Sequence, residues 1–330
     1  MAAQMDFGIH IGPRGCLTTR ANIKALATRA ETLGYAILGV ADHVIAPVTT
    51  TVRYPYTADG VWPGAPTGEC MDTLAVLAFV AGCTERIKLL TSVIVVPHRQ
   101  PVLAAKLLAT ADVLSDGRVI AGVGSGWMPE EFAALGTPPF AERGAVTDEY
   151  IRAWKILWTA ERPVMAGTYA AFDNVVFAPK PVSQPHPPIW VGGESARALR
   201  RVAELGDGWY PVSNNAQVPL NTVQRLRAGI ERMHQAVARV GRDPATIDIA
   251  YVWFLPPQWT AQPGADGERQ MFTGSAADLQ EDAAALAAVG VRHCIVYLQC
   301  PSIEQTLELL QRFAEDVIHP LSAPAAPAPV

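Results

Sequence analysis

The chain has 330 residues, half of them hydrophobic and 17% charged, with a formal net charge of -5. That composition supports a large core, argues against global disorder, and carries no basic excess with which to neutralise a nucleic-acid backbone. The five cysteines, at 16, 70, 83, 294 and 300, form neither a CxxC pair nor a metal-ligand spacing, so they read as reduced structural thiols of a cytoplasmic protein with no metal centre.

No run of eighteen uncharged apolar residues marks a membrane span, and the opening MAAQMDFGIHIG lacks the basic and long apolar regions of a secretion signal. Residues 5–11 read as the first strand, apolar except for Asp6 and His10. Thr18 and Thr19 are candidate caps of a helix whose inward stripe is Ile23, Leu26, Ala27, Ala30 and Leu33 and which Gly34 ends. Residues 36–40 form a second strand, with Asp42 and His43 just past its C-terminal end, where parallel α/β architectures keep their chemistry. Residues 46–70, rich in proline, glycine and threonine and carrying Tyr54, Tyr56 and Trp62, read as a binding lid or as a surface excursion. Asp72 offers a cap to a helix reaching about residue 82. An apolar run at 87–96, a helical segment at 100–114, a turn at Ser115-Asp116-Gly117 and a second apolar run at 118–123 make a strand-helix-strand unit.

Residues 129–134 predict a short helix and 147–159 an amphipathic one, with Tyr150, Trp154, Leu157 and Trp158 on its core face and Asp148-Glu149 in its first turn. The proline-rich stretch 163–188 predicts a hairpin, after which a strand at 189–191 ends in Gly192-Gly193. Helices at 195–205, 219–240, 275–289 and 303–317 then alternate with strands, and residues 256–268 read as a loop on the catalytic side. Eight strands, near residues 5, 36, 87, 118, 189, 208, 247 and 293, predict an α/β (β/α)8 TIM barrel, with a doubly wound open sheet as the competing arrangement. The expected organisation is a single domain over 1–320 with insertions near 46–70 and 128–188, and a disordered alanine- and proline-rich tail over 321–330.

The sequence contains no GxGxxG after the first strand, no GxxxxGK[ST], no HExxH and no GxSxG. GVGSG at 122–126 lacks the third glycine of a dinucleotide loop. The strand ends are more informative, because they collect His10, Asp42, His43, Thr91, Ser92, Ser125 and the glycine turn at 192–195. Backbone N–H groups at the start of that helix, with Arg197 or Arg200, would suit an anion, whereas an ordinary capped turn is the structural alternative and Glu194 opposes an anion if it faces inward. His43 suits acid–base work, and Asp42 would orient it if the two adjacent side chains pointed the same way. A hydrogen-bonded wall residue is the plainer role for His43, as it is for His10 and His98. Tyr54, Tyr56, Trp62, Trp127, Trp253 and Trp259 give either a partly aromatic cavity or a packed rim.

GYAILGVADHV at 34–44, LLTSVIVVPHRQPVLAAKLLATADVLSDGRVIAGVGSGWMPEEFAALG at 89–136, ERGAVTDEYIRAWKILW at 142–158 and PPIWVGGESARALRRVAELGDGWYP at 187–211 resemble the luciferase-like monooxygenase superfamily, and within it the F420-dependent oxidoreductases. The resemblance covers about residues 5–317 and implies a bacterial luciferase-like barrel with loop insertions. It also implies a flat cofactor ring across the C-terminal mouth, backed by a bulge with a non-prolyl cis peptide at Ser92-Val93. Asp42 then matches an acidic position beside the ring and His43 an acid–base position near its reactive carbon. Ser125 matches a contact to the cofactor's polar edge, and Gly192, Gly193 and Ser195 match a phosphate-binding segment to which Arg197 would add charge. The implied activity is hydride transfer between coenzyme F420 and a small carbonyl, alcohol or activated alkene. FMN is the alternative cofactor, which would make the protein a two-component monooxygenase served by a separate reductase. A barrel that only binds cofactor or a partner is the non-catalytic alternative. The expected partners are a small-molecule substrate and a second copy in a homodimer, with no nucleic acid and no membrane.

Overall fold

Apolar runs covered on both faces become parallel strands here, and stripes bounded by caps and glycines become helices. The computed structural model describes residues 5–264 and 267–322. In chain order these form β1 (Asp6–Ile11), α1 (Arg20–Thr32), β2 (Ile37–Val40), α2 (Thr73–Ala81), β3 (Lys88–Thr91), β4 (Ile94–Val95), α3 (Pro101–Leu114), β5 (Val119–Gly124), α4 (Pro129–Leu135), α5 (Arg143–Thr159), β6 (Met165–Ala166) and β7 (Ala171–Phe172). They continue through β8 (Ile189–Gly192), α6 (Ala196–Leu205), β9 (Gly208–Tyr210), α7 (Val223–Arg239), β10 (Asp248–Trp253), α8 (Ala276–Ala288), β11 (His293–Tyr297), α9 (Ile303–Phe313) and α10 (His319–Ser322).

Parallel pairing runs β3-β2-β1-β11-β10-β9-β8-β5, and β5 returns to β3, so the sheet closes into a (β/α)8 barrel rather than an open sheet. β3 and β4 together make one barrel strand. Leu89 pairs with Val119 before Ser92-Val93 and Ile94 pairs with Val123 after it, so the register slips by one residue, which defines a bulge. The Ser92-Val93 peptide is cis. β6 and β7 form a separate antiparallel hairpin inside the long connection before β8.

Side chains that point inward, among them Ile37, Leu90, Ile120, Trp190, Tyr210, Val252 and Ile295, fill the barrel as one cluster. Neighbours of opposite parity, such as Leu38 and Leu89, pack outward in the cluster shared with the helices, where Trp154 and Trp158 are also buried. Each such side chain stabilises the fold by about 1.5–3 kcal/mol on burial. Thr19, Asp72, Ser195 and Ser275 cap α1, α2, α6 and α8, each accepting from a backbone N–H three residues on. A cap of this kind is worth about 1 kcal/mol.

Three boundaries differ from the sequence reading. α5 starts at Arg143, four residues before the amphipathic stripe, because a short turn over Phe140–Glu142 leads straight into it. Asp148 is therefore beyond the first turn, and it is buried by ion pairing rather than placed to meet the helix dipole. α7 starts at Val223, where Thr222 caps it, and not at Pro219. The tail expected from 321 onward begins inside α10, whose last residues are Leu321 and Ser322, while 323–330 lie outside the described residues. All five cysteines are free. Among the described residues no helix is long and apolar enough to cross a membrane, and no His, Cys, Asp or Glu group could hold a metal ion.

Candidate active site at the barrel mouth

The C-terminal ends of the strands open into a cavity of about 890 Å³. One wall is the bulge. Ser92 Oγ turns into the barrel, hydrogen-bonded to His10 Nδ1 at 2.8 Å and to the Tyr210 hydroxyl at 2.7 Å. Burial, reinforced by the charge of Arg14, lowers the pKa of His10 to about 3, so this buried imidazole is neutral. Val93 lies over two strand-end glycines: a Cβ on Gly124 would come within 2.6 Å of one Val93 methyl, and one on Gly192 within 3.2 Å of the other. The absence of side chains at both positions lets Val93 lie flat against backbone.

Asp42 and His43 both line the cavity, but their side chains diverge. Asp42 accepts from both Arg99 Nη groups at 2.8 Å and from the Val95 N–H at 2.8 Å. His43 instead donates from Nδ1 to Glu131 Oε2 at 3.0 Å, and the other Glu131 oxygen accepts from the N–H groups of Val44 (2.6 Å) and Ile45 (3.3 Å). Burial pushes the Glu131 carboxyl up, yet its hydrogen bond to His43, the charges of His43 and His98 and the Val44 bond outweigh that and hold it below its ordinary value. A carboxylate at this point keeps the His43 proton on Nδ1 and leaves Nε2 for the cavity. The next residue, Glu130, accepts from the Thr51 N–H at 2.7 Å and its hydroxyl at 2.8 Å. His98 lies behind Glu131, 3.9 Å away, with neither ring nitrogen hydrogen-bonded, and burial lowers its pKa.

The opposite end of the cavity is cationic. Ser125, Gly192, Gly193, Ser195 and Arg197 all line the wall. Ser195 Oγ accepts from the Ala198 N–H as the cap of α6. Among the described residues, Ser125 has no side-chain hydrogen-bond partner and Arg197 no carboxylate within ion-pair distance. Arg143 stacks 3.9 Å from the Phe140 ring centroid, and burial together with the charge of Arg197 lowers its pKa. Arg200 and Arg201 are both committed to Asp148. Glu194 is turned away from this surface, its carboxylate accepting from the Val212 N–H at 2.8 Å and from Asn215 Nδ2 at 2.6 Å.

Sequence reasoning left Glu131, Arg99, Arg143, Tyr210, Arg14 and Phe254 out of the site. Glu131 carried one weak signal, an acidic residue in the first turn of a short helix, which it shares with Glu130. Among the described residues, none of the 256–268 loop lines the cavity, which Phe254 and residues within 141–152 and 168–169 help to close instead. Tyr54, Tyr56, Trp62 and Trp127 do line it. Trp253 is buried in the core, and Trp259 donates to Asp316 at 2.6 Å.

A closed (β/α)8 barrel with one bulged strand and a large cavity at the strand ends defines a barrel whose chemistry belongs at the C-terminal mouth. Residues 5–289 match the luciferase-like monooxygenase family, and the chain belongs to that family. It is 33% identical over 219 residues to an uncharacterized protein of Mycobacterium tuberculosis, a match covering 65% of this chain and 77% of that one. It is 35% identical over 160 residues to an FMNH2-dependent dimethylsulfone monooxygenase of Pseudomonas putida, over 48% of this chain and 42% of that one. The structure of the coenzyme F420-dependent tetrahydromethanopterin reductase of Methanopyrus kandleri shares the fold, with a TM-score of 0.72 at 16% identity over 97% of this chain and all of that one. Both deazaflavin and flavin proteins thus stand among its relatives and structural neighbours.

Proposed function

We propose that the chain is a coenzyme F420-dependent oxidoreductase that moves a hydride between the deazaflavin and a small carbonyl, alcohol or activated alkene. The observation that carries this reading is the continuity of the cavity, which joins the Val93 wall to the arginines at 143 and 197. A flat ring with a long anionic tail fits such a space. The glycines under Val93 leave a smooth backing for the ring, Ser125 offers an unengaged hydroxyl to its edge, and Gly193, Ser195 and Arg197 present N–H donors and positive charge to the tail. When bound, the cofactor supplies the hydride chemistry.

The chain's own residues position the substrate and manage the proton. In the oxidation of an alcohol, His43 Nε2 takes the hydroxyl proton as the carbon gives up its hydride; in the reverse direction it returns that proton to the oxygen. Glu131 holds the ring in the tautomer this requires and stabilises the imidazolium that forms. Asp42, fixed by Arg99 and Val95, holds the turn on which His43 stands. Tyr54, Tyr56 and Trp62 cover the mouth and exclude water. A homodimer belongs to the same reading.

The Pseudomonas putida relative supports a second reading, an FMN-dependent two-component monooxygenase that receives reduced flavin from a separate reductase. Equilibrium titration with oxidised F420 and with FMN separates the two, followed by a substrate screen at the deazaflavin absorption band. The proposal expects F420 to bind more tightly than FMN. Tight FMN binding with no measurable F420 binding would overturn it.

A further inference from the structure

Arg14 follows β1, four strands around the ring from β8, which leads into Arg197. It is half-buried and lines the cavity. Its backbone is clamped by one amide: Gln299 Oε1 accepts from the Gly12 N–H at 2.9 Å, and Gln299 Nε2 donates to the Arg14 carbonyl at 3.2 Å. Its guanidinium folds back over Gly12, where a Cβ would collide with Nη1. The turn is thus built to hold a cation against the strand end. Yet among the described residues the guanidinium makes a single side-chain hydrogen bond, to the Tyr297 hydroxyl at 3.4 Å, and no ion pair. The nearby Glu69 carboxylate is engaged by the Gly15 N–H at 3.1 Å.

An unbroken series of ring contacts connects this cation to His43. His43 meets Trp127 (5.9 Å between centroids), Trp127 meets Tyr54 (5.1 Å), Tyr54 meets Tyr56 (5.3 Å), Tyr56 meets Phe254 (6.2 Å) and Phe254 stacks on Tyr297 (5.5 Å). Burial raises the pKa of both Tyr54 and Tyr297, partly offset by the charge of Arg14, so the two phenols beside the guanidinium remain O–H donors. The region between His43 and Arg14 therefore has an aromatic wall and ends in the Arg14 guanidinium and the protonated Tyr54 hydroxyl.

We infer that Arg14, with the hydroxyl of Tyr54, binds an anionic group of the substrate, which makes that substrate a small carboxylate or sulfonate with an apolar body. The inference rests on reading the cavity as an oxidoreductase site, and it names the substrate class of that site. An unpaired guanidinium in a partly desolvated pocket discriminates strongly between an oxyanion and its neutral isostere, because only the oxyanion forms charge-assisted hydrogen bonds.

Benzoate, benzenesulfonate and benzamide, titrated calorimetrically into the full-length protein with and without saturating F420, test this. At least one of the two anions should bind about tenfold or more tightly than benzamide. The tighter anion identifies the group as carboxylate or sulfonate. Arg14→Gln should abolish the preference while leaving benzamide affinity within about threefold. Gly12→Ala, which keeps the charge but displaces it, should abolish it as well. Equal affinity for all three probes, binding of none of them, or a preference that survives Arg14→Gln would each overturn the inference. Loss of F420 binding in Arg14→Gln would also overturn it, by assigning Arg14 to the cofactor, and would leave the oxidoreductase reading intact. A wild-type protein that binds neither F420 nor FMN would defeat that reading, while the cofactor-free titration still decides whether the anion is recognised.

Discussion

Replacing Glu131 by glutamine exchanges one carboxylate oxygen for an NH2 group and should impair catalysis far more than stability. Glu131 is 1% exposed and serves three donors, the Val44 and Ile45 N–H groups on one oxygen and His43 Nδ1 on the other. Glutamine has a single acceptor oxygen. Satisfying the two backbone donors places that oxygen toward Val44 and turns the NH2 group to His43, which must then accept at Nδ1 and carry its proton on Nε2. The nitrogen facing the cavity becomes a donor and can no longer take a proton. Loss of general-base action is worth about 10²–10⁴-fold in kcat, or about 2.7–5.5 kcal/mol of barrier. Exchanging charge-assisted for neutral hydrogen bonds costs only about 1 kcal/mol of stability. The assay compares kcat at saturating cofactor for wild type, Glu131→Gln and His43→Ala, the last marking the floor. Ring ¹⁵N shifts of His43 report the tautomer without any substrate. Cofactor affinity should stay within about threefold, because Glu131 does not line the cavity. Turnover of Glu131→Gln within about threefold of wild type, or an Nδ1 that stays protonated, would refute the reasoning.

Asp42→Ala should destabilise the fold by about 3–5 kcal/mol, read from urea midpoints, since it leaves the largely buried Arg99 with Asp72 as its remaining ion-pair partner. A loss below about 1 kcal/mol would mean that the pair does not hold the strand end. Gly124→Ala should push Val93 into the cavity and weaken cofactor binding by about tenfold, and unchanged affinity would show that the bulge does not back the ring. Acid should weaken the fold before the carboxylates titrate. His10, neutral when folded with a pKa of about 3 against an ordinary 6.5, contributes stability that is complete above 6.5 and falls, by up to about 1.4 kcal/mol per unit, as pH drops toward 3. Glu131, held below 4.5, adds a second loss below that value. Urea midpoints that stay flat between about pH 7 and pH 5, or an acid sensitivity unchanged in His10→Gln, would count against the first of these effects.

The barrel was legible because each strand is an apolar run whose period is blurred by burial on both faces, and helices such as α1, α2, α6 and α8 begin at caps that the sequence displays. Strand ends could therefore be located, and with them Asp42, His43, Ser92, Ser125 and the turn at 192–195. Side-chain direction could not. Asp42 and His43 are adjacent, yet one is held by Arg99, 57 residues on, and the other by Glu131, 88 residues on. No local pattern encodes such pairings. Glu194 shows the same limit: beside a glycine turn it looks like an obstacle to an anion, but packing against the segment at 212–215 takes its charge elsewhere. Composition alone also could not divide the aromatics between wall and core. Trp62 and Trp253 occur in similarly plausible positions, but the first comes from an irregular excursion that folds over the mouth and the second from β10 with its ring in the core.

The two neighbouring glutamates of α4 tie chemistry to access. Glu131 takes the N–H groups at 44 and 45, and Glu130 the N–H and hydroxyl of Thr51, so a single short helix moors both ends of the segment that leads into the covering aromatics. A motion that lifted this segment off α4 would break the Glu131 bonds to Val44 and Ile45 and, with them, loosen its hold on the adjoining His43. On the proposed reading, the imidazole would then lack the carboxylate that directs its Nδ1 proton whenever the segment stood open, so ligand admission and proton transfer would exclude each other.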